Sequence, residues 1–75
     1  MKPEELVSRV FGVDRSRVSD ETSNRTLPEW DSLGHVTLVL EIEATYRIAM
    51  STDDALTLTS VGSIKRFLGC RGVRW

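Results

Sequence analysis

Three side chains that could do chemistry stand within one helical turn of each other near the middle of the chain: Asp31, Ser32 and His35. On a helix, His35 would lie three residues beyond Ser32 and four beyond Asp31, so all three could share one face. These residue types suggest a small hydrolase site. Such a site also needs donors that face a developing oxyanion and a pocket that excludes water, and nothing in the sequence builds either. We therefore predict no catalytic site, and we expect His35 to be an exposed helix residue.

The same residues have a simpler interpretation as the start of a helix. Leu33, Val36 and Leu40 follow at helical spacing. An Asp or Ser just before such a run typically accepts a hydrogen bond from a free N–H group of the first turn. On this interpretation Ser32 needs no function beyond the cap.

Size and composition limit the kind of site that the chain can hold. Its 75 residues form one small domain, which buries only about 60–65% of the surface of the unfolded chain and leaves little room for an enzyme pocket. One Cys and one His are too few for a zinc site, and a lone cysteine forms no internal disulfide. The sequence shows neither a leader peptide nor an apolar run long enough for a membrane span. We expect a cytoplasmic, monomeric binding or carrier module with no metal and no membrane partner.

The formal net charge of -1 conceals a segregation of charge along the chain. Residues 28–54 contain six acidic side chains and one basic side chain, whereas residues 55–75 contain four basic side chains and no acidic one. A basic segment can bind nucleic acid, but cations in the last turn of a helix also stabilise the helix dipole. We favour the second interpretation and expect no nucleic-acid partner.

The hydrophobic pattern around this site predicts helices and no strand. A first helix begins at Pro3, whose missing N–H is harmless in the first turn, and ends at Gly12. Residues 13–30 lack a sustained period and predict a long loop. Three apolar side chains are expected to anchor that loop in the core: Val13, Val18 and Leu27.

Three more helices are expected after the loop. The second should run from Ser32 to Tyr46 or Arg47, the third should be a short turn that Thr52 caps, and the fourth should run from its cap Ser60 to Gly69. Together these elements predict an all-α fold, a small antiparallel four-helix bundle with three longer helices and one short helix before the last. Residues 1–69 would form the domain, and residues 70–75 a flexible tail that includes Cys70, to which we assign no function.

Apolar residues of the second helix fall into two sets. One set recurs every four residues and would face the other helices: Leu38, Ile42 and Tyr46. The other set lies on a neighbouring stripe that begins beside Ser32: Leu33, Val36 and Leu40. The stripe is either a wider part of the core or an exposed docking surface.

The run Trp30-Asp31-Ser32-Leu33, which opens an apolar helix after a long loop, resembles the prosthetic-group site of acyl carrier proteins. The order of a short helix and a last helix after the motif also fits this family, so the resemblance covers nearly the whole chain. It implies that a phosphopantetheinyl transferase attaches 4'-phosphopantetheine from coenzyme A to the Ser32 hydroxyl, with Asp31 and Leu33 helping the transferase to recognise the site. It also implies a free-standing carrier, without a catalytic site of its own, that holds acyl groups as thioesters on the arm.

The resemblance gives the stripe a function as well. In the family these positions dock partner enzymes, which here would be an acyl-loading ligase or acyltransferase and a ketosynthase or another acyl-processing enzyme. The docking residues that it implies are His35, Val36, Leu40, Glu41 and Glu43. Acidic side chains would steer such weak, transient docking toward basic partner surfaces.

The second helix departs from the pattern of carriers in fatty acid biosynthesis, which typically have acids at several positions. This chain has Gly34, Thr37 and Ala44 where acids are common, although Glu41 and Glu43 remain. The reduced acidity favours a specialised pathway, such as polyketide or other secondary metabolism.

Two alternatives stay open. One is a peptidyl or aminoacyl carrier, although the serine of such carriers usually follows Gly-Gly-His or Gly-Gly-Asp, whereas Glu29-Trp30-Asp31 precedes Ser32 here. The other is an unmodified helical adaptor whose apolar stripe simply binds a partner.

Overall fold

The computed structural model describes residues 1–75 as four helices joined by loops. Helix α1 spans Pro3–Phe11, α2 spans Ser32–Tyr46, α3 spans Thr52–Thr57 and α4 spans Val61–Cys70. One short 3-10 turn interrupts the loop between α1 and α2, and an isolated β-bridge is the only extended pairing. The prediction of an all-α fold with one short helix before the last is confirmed. None of these helices combines the length and the apolar character needed to cross a lipid bilayer.

The ends of α1 and α2 follow from local chemistry that the sequence displays. Pro3 is the first residue of α1, and Gly12 ends that helix with a left-handed φ of 64°, as predicted. Asp31 caps α2, because its Oδ1 accepts a hydrogen bond of 2.8 Å from the backbone N–H of Gly34. Arg47 ends α2 with a φ of 55°, so the left-handed residue at this end is not a glycine.

Helices α3 and α4 each begin with a capping box, in which a side chain and a backbone N–H exchange hydrogen bonds reciprocally. In α3 the box joins Ser51 and Asp54, so the expectation that Thr52 is the cap is wrong: Thr52 is already the first helical residue. In α4 the box joins Ser60 and Ser63, and the prediction for Ser60 is confirmed.

The end of α4 lies one residue beyond the predicted one. Gly69 is inside the helix, which continues to Cys70, because the left-handed backbone comes only at Gly72, with a φ of 73°. Val73 then packs against the core. At least one side chain of the segment 70–75 therefore rests on the bundle, and the mobility of that segment stays a prediction.

One core of apolar side chains holds the helices together, and α1 packs against both α2 and α4. Two of the three predicted core residues of α2, Leu38 and Ile42, are completely buried, and burial of such a side chain contributes about 1.5–3 kcal/mol. The third, Tyr46, is only partly buried, and its hydroxyl donates to the carbonyl of Met1 at 2.8 Å. The buried core residues are Leu6, Val7, Val13, Val18, Leu27, Trp30, Leu38, Ile42, Leu58, Val61, Ile64 and Leu68.

The long loop between α1 and α2 is fixed through both its side chains and its backbone. All three predicted anchors are buried: Val13, Val18 and Leu27. Its backbone also pairs with the link between α3 and α4, since Asn24 N–H donates to the Thr59 carbonyl and Val61 N–H donates to the Thr22 carbonyl. The loop thus contacts the link between α3 and α4 and ends beside the start of α2.

An ionic cluster joins α1, this loop and α4. Nζ of Lys65 lies 2.8 Å from Oε2 of Glu4 and 2.7 Å from Oδ1 of Asp20. Burial alone would raise the pKa of Glu4, but the hydrogen bond from Lys65 and the charges of Lys65 and Arg15 outweigh it and hold that pKa below its usual 4.5. The hydrogen bonds to Asp20 and Glu4 raise the pKa of Lys65.

Candidate functional site

Ser32 is the first residue of α2, and its side chain is exposed. Asp31 already caps the helix, so the simple cap interpretation accounts for Asp31 and leaves the Ser32 hydroxyl without a structural task. That hydroxyl forms no hydrogen bond within the protein, and neither do the backbone N–H groups of Ser32 and Leu33. The start of α2 therefore presents a free hydroxyl beside two free donors at the positive end of a helix dipole.

An open cavity of about 350 Å³ lies beside Ser32. Parts of the chain that are far apart in sequence line it: the long loop, the start of α2, helix α3 and the link to α4. Two of its seven lining residues are hydrophobic, and the complete set is Asn24, Trp30, Asp31, Ser32, His35, Leu56 and Thr59. Sequence analysis did not indicate that Asn24, Leu56 or Thr59 lies at this site, because only the packing of α3 and of the loop brings them there.

His35 is partly buried, so the expectation of an exposed helix residue is wrong. The indole N–H of Trp30 donates to Nδ1 of His35 at 3.0 Å, and Nε2 of His35 lies 2.8 Å from the carbonyl oxygen of Ala55. An indole N–H can only donate and a carbonyl can only accept, so this arrangement fits the imidazole tautomer that accepts at Nδ1 and carries its proton on Nε2. Both ring nitrogens are thereby occupied, and His35 is not free to act as a base for Ser32.

Trp30 is the hydrophobic anchor of the site and is only 2% exposed. Its ring stacks on Phe11 of α1, with 5.5 Å between the ring centroids. The loop that carries Trp30 passes so close to α2 that a Cβ at Gly34 would lie 2.6 Å from the carbonyl oxygen of Glu29. A glycine at position 34 is what permits this approach.

The apolar stripe of α2 is exposed, which excludes the alternative that it widens the core. Leu33 is 77% exposed, Val36 56% and Leu40 61%. Leu56 of α3, also at the cavity beside Ser32, is 69% exposed. These four residues, called the apolar patch below, lie on the two helices that border Ser32, and the sequence did not indicate the contribution of α3.

The two acidic residues predicted to take part in docking have partners within the chain. Glu41 lies 4.0 Å from Arg9 in an exposed pair, which contributes little to stability. Glu43 is partly buried, and its Oε2 accepts a hydrogen bond of 2.9 Å from the backbone N–H of Met50. Glu43 thus has a structural task, the shaping of the turn after α2, that the sequence did not predict.

The sequence and the fold are both similar to those of known proteins. The family model described as "Phosphopantetheine attachment site" matches residues 4–68. An acyl carrier protein from Lactobacillus johnsonii is 27% identical over 64 residues, which cover 85% of this chain and 80% of that protein. The solution NMR structure of a holo acyl carrier protein from Geobacter metallireducens matches with a TM-score of 0.77 and 26% identity, over 93% of this chain and 85% of that one.

Proposed function

Because the chain belongs to the acyl carrier protein family, whose prosthetic group is 4'-phosphopantetheine, we propose that Ser32 is the residue that carries this group. The protein is a carrier and not a catalyst. One observation supports the proposal most: the Ser32 hydroxyl is exposed at the first position of α2 and is free of any hydrogen bond, while the neighbouring Asp31 takes over the cap. A transferase can reach such a hydroxyl without unfolding the helix.

The residues present at the start of α2 fit the phosphate of this group. The free backbone N–H groups of Ser32 and Leu33 can donate to phosphate oxygens, and the helix dipole favours negative charge at this end. When bound, the group supplies a terminal thiol that holds acyl cargo as a thioester. Asp31 keeps the first turn in place through its bond to Gly34, and the exposed Leu33 side chain offers the transferase an apolar contact.

The apolar patch supports the proposal that α2 and α3 dock the partner enzymes. Four of the large apolar side chains that are exposed lie on the two helices that border Ser32, and a grouping of exposed apolar side chains is typical of an interaction site. Weak, transient docking suits a carrier, because the tethered cargo meets each enzyme at a high effective concentration. The proposed partners are the phosphopantetheinyl transferase, a ligase or acyltransferase that loads the cargo, and a ketosynthase or other acyl-processing enzyme.

The electrostatics of α2 support a specialised pathway rather than general fatty acid biosynthesis. Only Glu41 and Glu43 remain as acids within the helix: Glu43 accepts a hydrogen bond from the backbone N–H of Met50, and Glu41 forms a weak, exposed pair with Arg9. The surface of α2 therefore offers few free carboxylates to a basic enzyme surface, and docking would depend mainly on the apolar patch. Polyketide or other secondary-metabolite assembly is the function that we propose.

The proposal is tested by intact-protein mass after incubation with coenzyme A and a broad-specificity phosphopantetheinyl transferase. We expect the wild-type chain to gain the mass of one phosphopantetheine unit and Ser32→Ala to gain none. Since Ser32 makes no side-chain hydrogen bond, the free energy of unfolding of the variant should lie within about 0.5 kcal/mol of the wild-type value.

Ser16→Ala is the matched control, because Ser16 is another exposed serine but lies in the 3-10 turn of the long loop. It should be modified as fast as the wild type. A wild-type chain that is folded and helical but gains no mass would overturn the proposal and favour the unmodified adaptor. Loading of the modified chain with acyl and aminoacyl groups then separates an acyl carrier from a peptidyl carrier.

A further inference from the structure

His35 connects three parts of the molecule at the cavity beside Ser32. It stands on the first turn of α2, accepts the indole N–H of Trp30 from the long loop at 3.0 Å, and donates its Nε2–H to the Ala55 carbonyl of α3 at 2.8 Å. All three parts line the same cavity. The neutral imidazole is required for this arrangement, since only the neutral ring offers one acceptor and one donor.

A proton added to Nδ1 of His35 would turn its acceptor into a donor that faces the donor of Trp30 at hydrogen-bond distance. Trp30 cannot easily turn away, because its ring is buried and stacked on Phe11. The imidazole is only partly buried and lies beside an open cavity. Relief of the donor–donor contact therefore falls to His35, and movement of its ring toward the cavity breaks the bond to Ala55.

Helix α3 has few contacts with the other helices, so this bond is a large share of what holds it in place. It is six residues long and contains no buried residue. Apart from the bond to His35, its ties are the buried Leu58 just after it and a 3.9 Å ion pair between Asp54 and Arg71. A helix held by so few contacts is expected to open locally at low free-energy cost.

The charged groups around His35 do not supply a partner for an added proton. In the loop, Glu29 forms an ion pair with Arg17. At the start of α2, the Asp31 carboxylate accepts a hydrogen bond from the backbone N–H of Gly34. From α3, the Asp54 carboxylate accepts from Ser51 and lies near Arg71, and Asp53 is exposed. From α1, the uncharged ring of Phe11 stacks on Trp30, which lies between Phe11 and His35. No carboxylate forms an ion pair with the imidazole.

We propose that neutral His35 is a positioning residue that holds α3 against the start of α2, and that its protonation releases α3 and with it one wall of the cavity beside Ser32. Leu56 follows directly after Ala55, so release of α3 also moves Leu56 away from the other three residues of the apolar patch. The consequence for docking rests on the function proposed above, whereas the release of α3 does not.

The release is measured by NMR on the unmodified, ¹⁵N-labelled chain between pH 8 and pH 5, the range in which histidine side chains change charge. We expect the indole N–H signal of Trp30 to shift and to exchange faster with water as the pH falls, and the amide protection of residues 55–58 to drop about fivefold, as for loss of one hydrogen bond. The indole signal of Trp75 is an internal control, because no hydrogen bond holds that side chain in the C-terminal segment.

Two variants separate the proposed release from general acid sensitivity. His35→Gln offers one acceptor and one donor without a titrating group, so the pH response of residues 55–58 should disappear. Trp30→Phe keeps a buried ring but removes the opposing donor, so protection of residues 55–58 should no longer fall with pH. A Trp30 signal that stays in place from pH 8 to pH 5, or an equal response in His35→Gln, overturns the proposal.

The consequence for docking is read from the transferase kinetics at pH 8. His35→Ala, which lacks both hydrogen bonds, should raise the KM of the transferase for this protein about fivefold with kcat unchanged, and His35→Gln should recover most of the loss. An equal KM for His35→Ala and the wild type overturns the link to docking. If no variant and no wild-type chain is modified at all, the proposed function fails while the NMR result still decides the role of His35.

Discussion

At the scale of single residues, the start of α2 depends on one close approach of two backbones. Helix propensity alone would favour Ala over Gly at position 34 by about 1 kcal/mol. The structure reverses this preference, because an added Cβ would lie 2.6 Å from the Glu29 carbonyl oxygen and 2.8 Å from Cε1 of Phe11. Gly34 thus lowers the helix propensity of the first turn, but its missing side chain permits a tight packing contact with the loop.

We therefore expect Gly34→Ala to destabilise the protein by about 1–2 kcal/mol, as overpacking outweighs the gain in propensity. Gly69→Ala is the matched control, since Gly69 also lies in a helix but an added Cβ would meet nothing within 4 Å. That variant should gain up to about 1 kcal/mol. Urea unfolding of both variants measures the difference, and a Gly34→Ala variant as stable as Gly69→Ala would contradict the packing argument.

Single residues also mark the limit of what the sequence can reveal. The Gly12 helix end and a capped start of α2 at Asp31 or Ser32 were predicted, because both depend on neighbours within a few positions, and the structure assigns the cap to Asp31. The roles of Trp30 and His35 were not predicted, since their bonds depend on where the loop and α3 pack. Local chemistry is readable from one sequence, whereas contacts between distant segments are not.

At the scale of elements, α2 has two apolar faces with different tasks. Leu38 is completely buried and Leu40, two positions later, is 61% exposed. Sequence periodicity separated these faces correctly, but it could not decide whether the second face was covered. The exposure of Leu33, Val36 and Leu40 shows that no other helix covers the second face.

The two faces should respond differently to the same truncation. Leu38→Ala is expected to lower the free energy of unfolding by about 2–5 kcal/mol, whereas Leu40→Ala should change it by no more than about 0.5 kcal/mol. Under the proposed function, Leu40→Ala should instead raise the KM of the transferase. Thermal unfolding and the modification assay check the pair, and a large loss of stability in Leu40→Ala would show that this face is part of the core.

At the scale of the whole molecule, Tyr46 connects the N-terminal residue to the bundle, and its environment makes stability depend on pH. The hydroxyl of Tyr46 donates to the carbonyl of Met1. Burial, followed by the charges of Glu4 and Glu5, raises the pKa of Tyr46 from 10.0 to about 12. Because the folded state binds this proton more tightly than the unfolded chain does, the contribution is complete below pH 10 and is lost between pH 10 and 12.

Tyr46→Phe should therefore lose less stability than the wild type between pH 10 and pH 12, the interval between the two values of the Tyr46 pKa. At pH 7 the variant should be less stable by about 0.5–1 kcal/mol, because one hydrogen bond is gone. Lys65, whose pKa is also raised, still contributes an alkaline loss in both proteins. Denaturant unfolding at several pH values measures the difference, and parallel curves for the two proteins would contradict the assignment to Tyr46.

The attachment of the long loop has a consequence for proteolysis. The loop contains three arginines that trypsin could cut, Arg15, Arg17 and Arg25, all exposed in the folded chain. Buried anchors and backbone bonds to the link before α4 hold the loop in place, and we expect them to keep it from entering a protease active site. Cleavage should therefore wait for the bundle to open, and the half-life in dilute trypsin should follow the free energy of unfolding. A loop this long would otherwise be the first place where such a chain is cut.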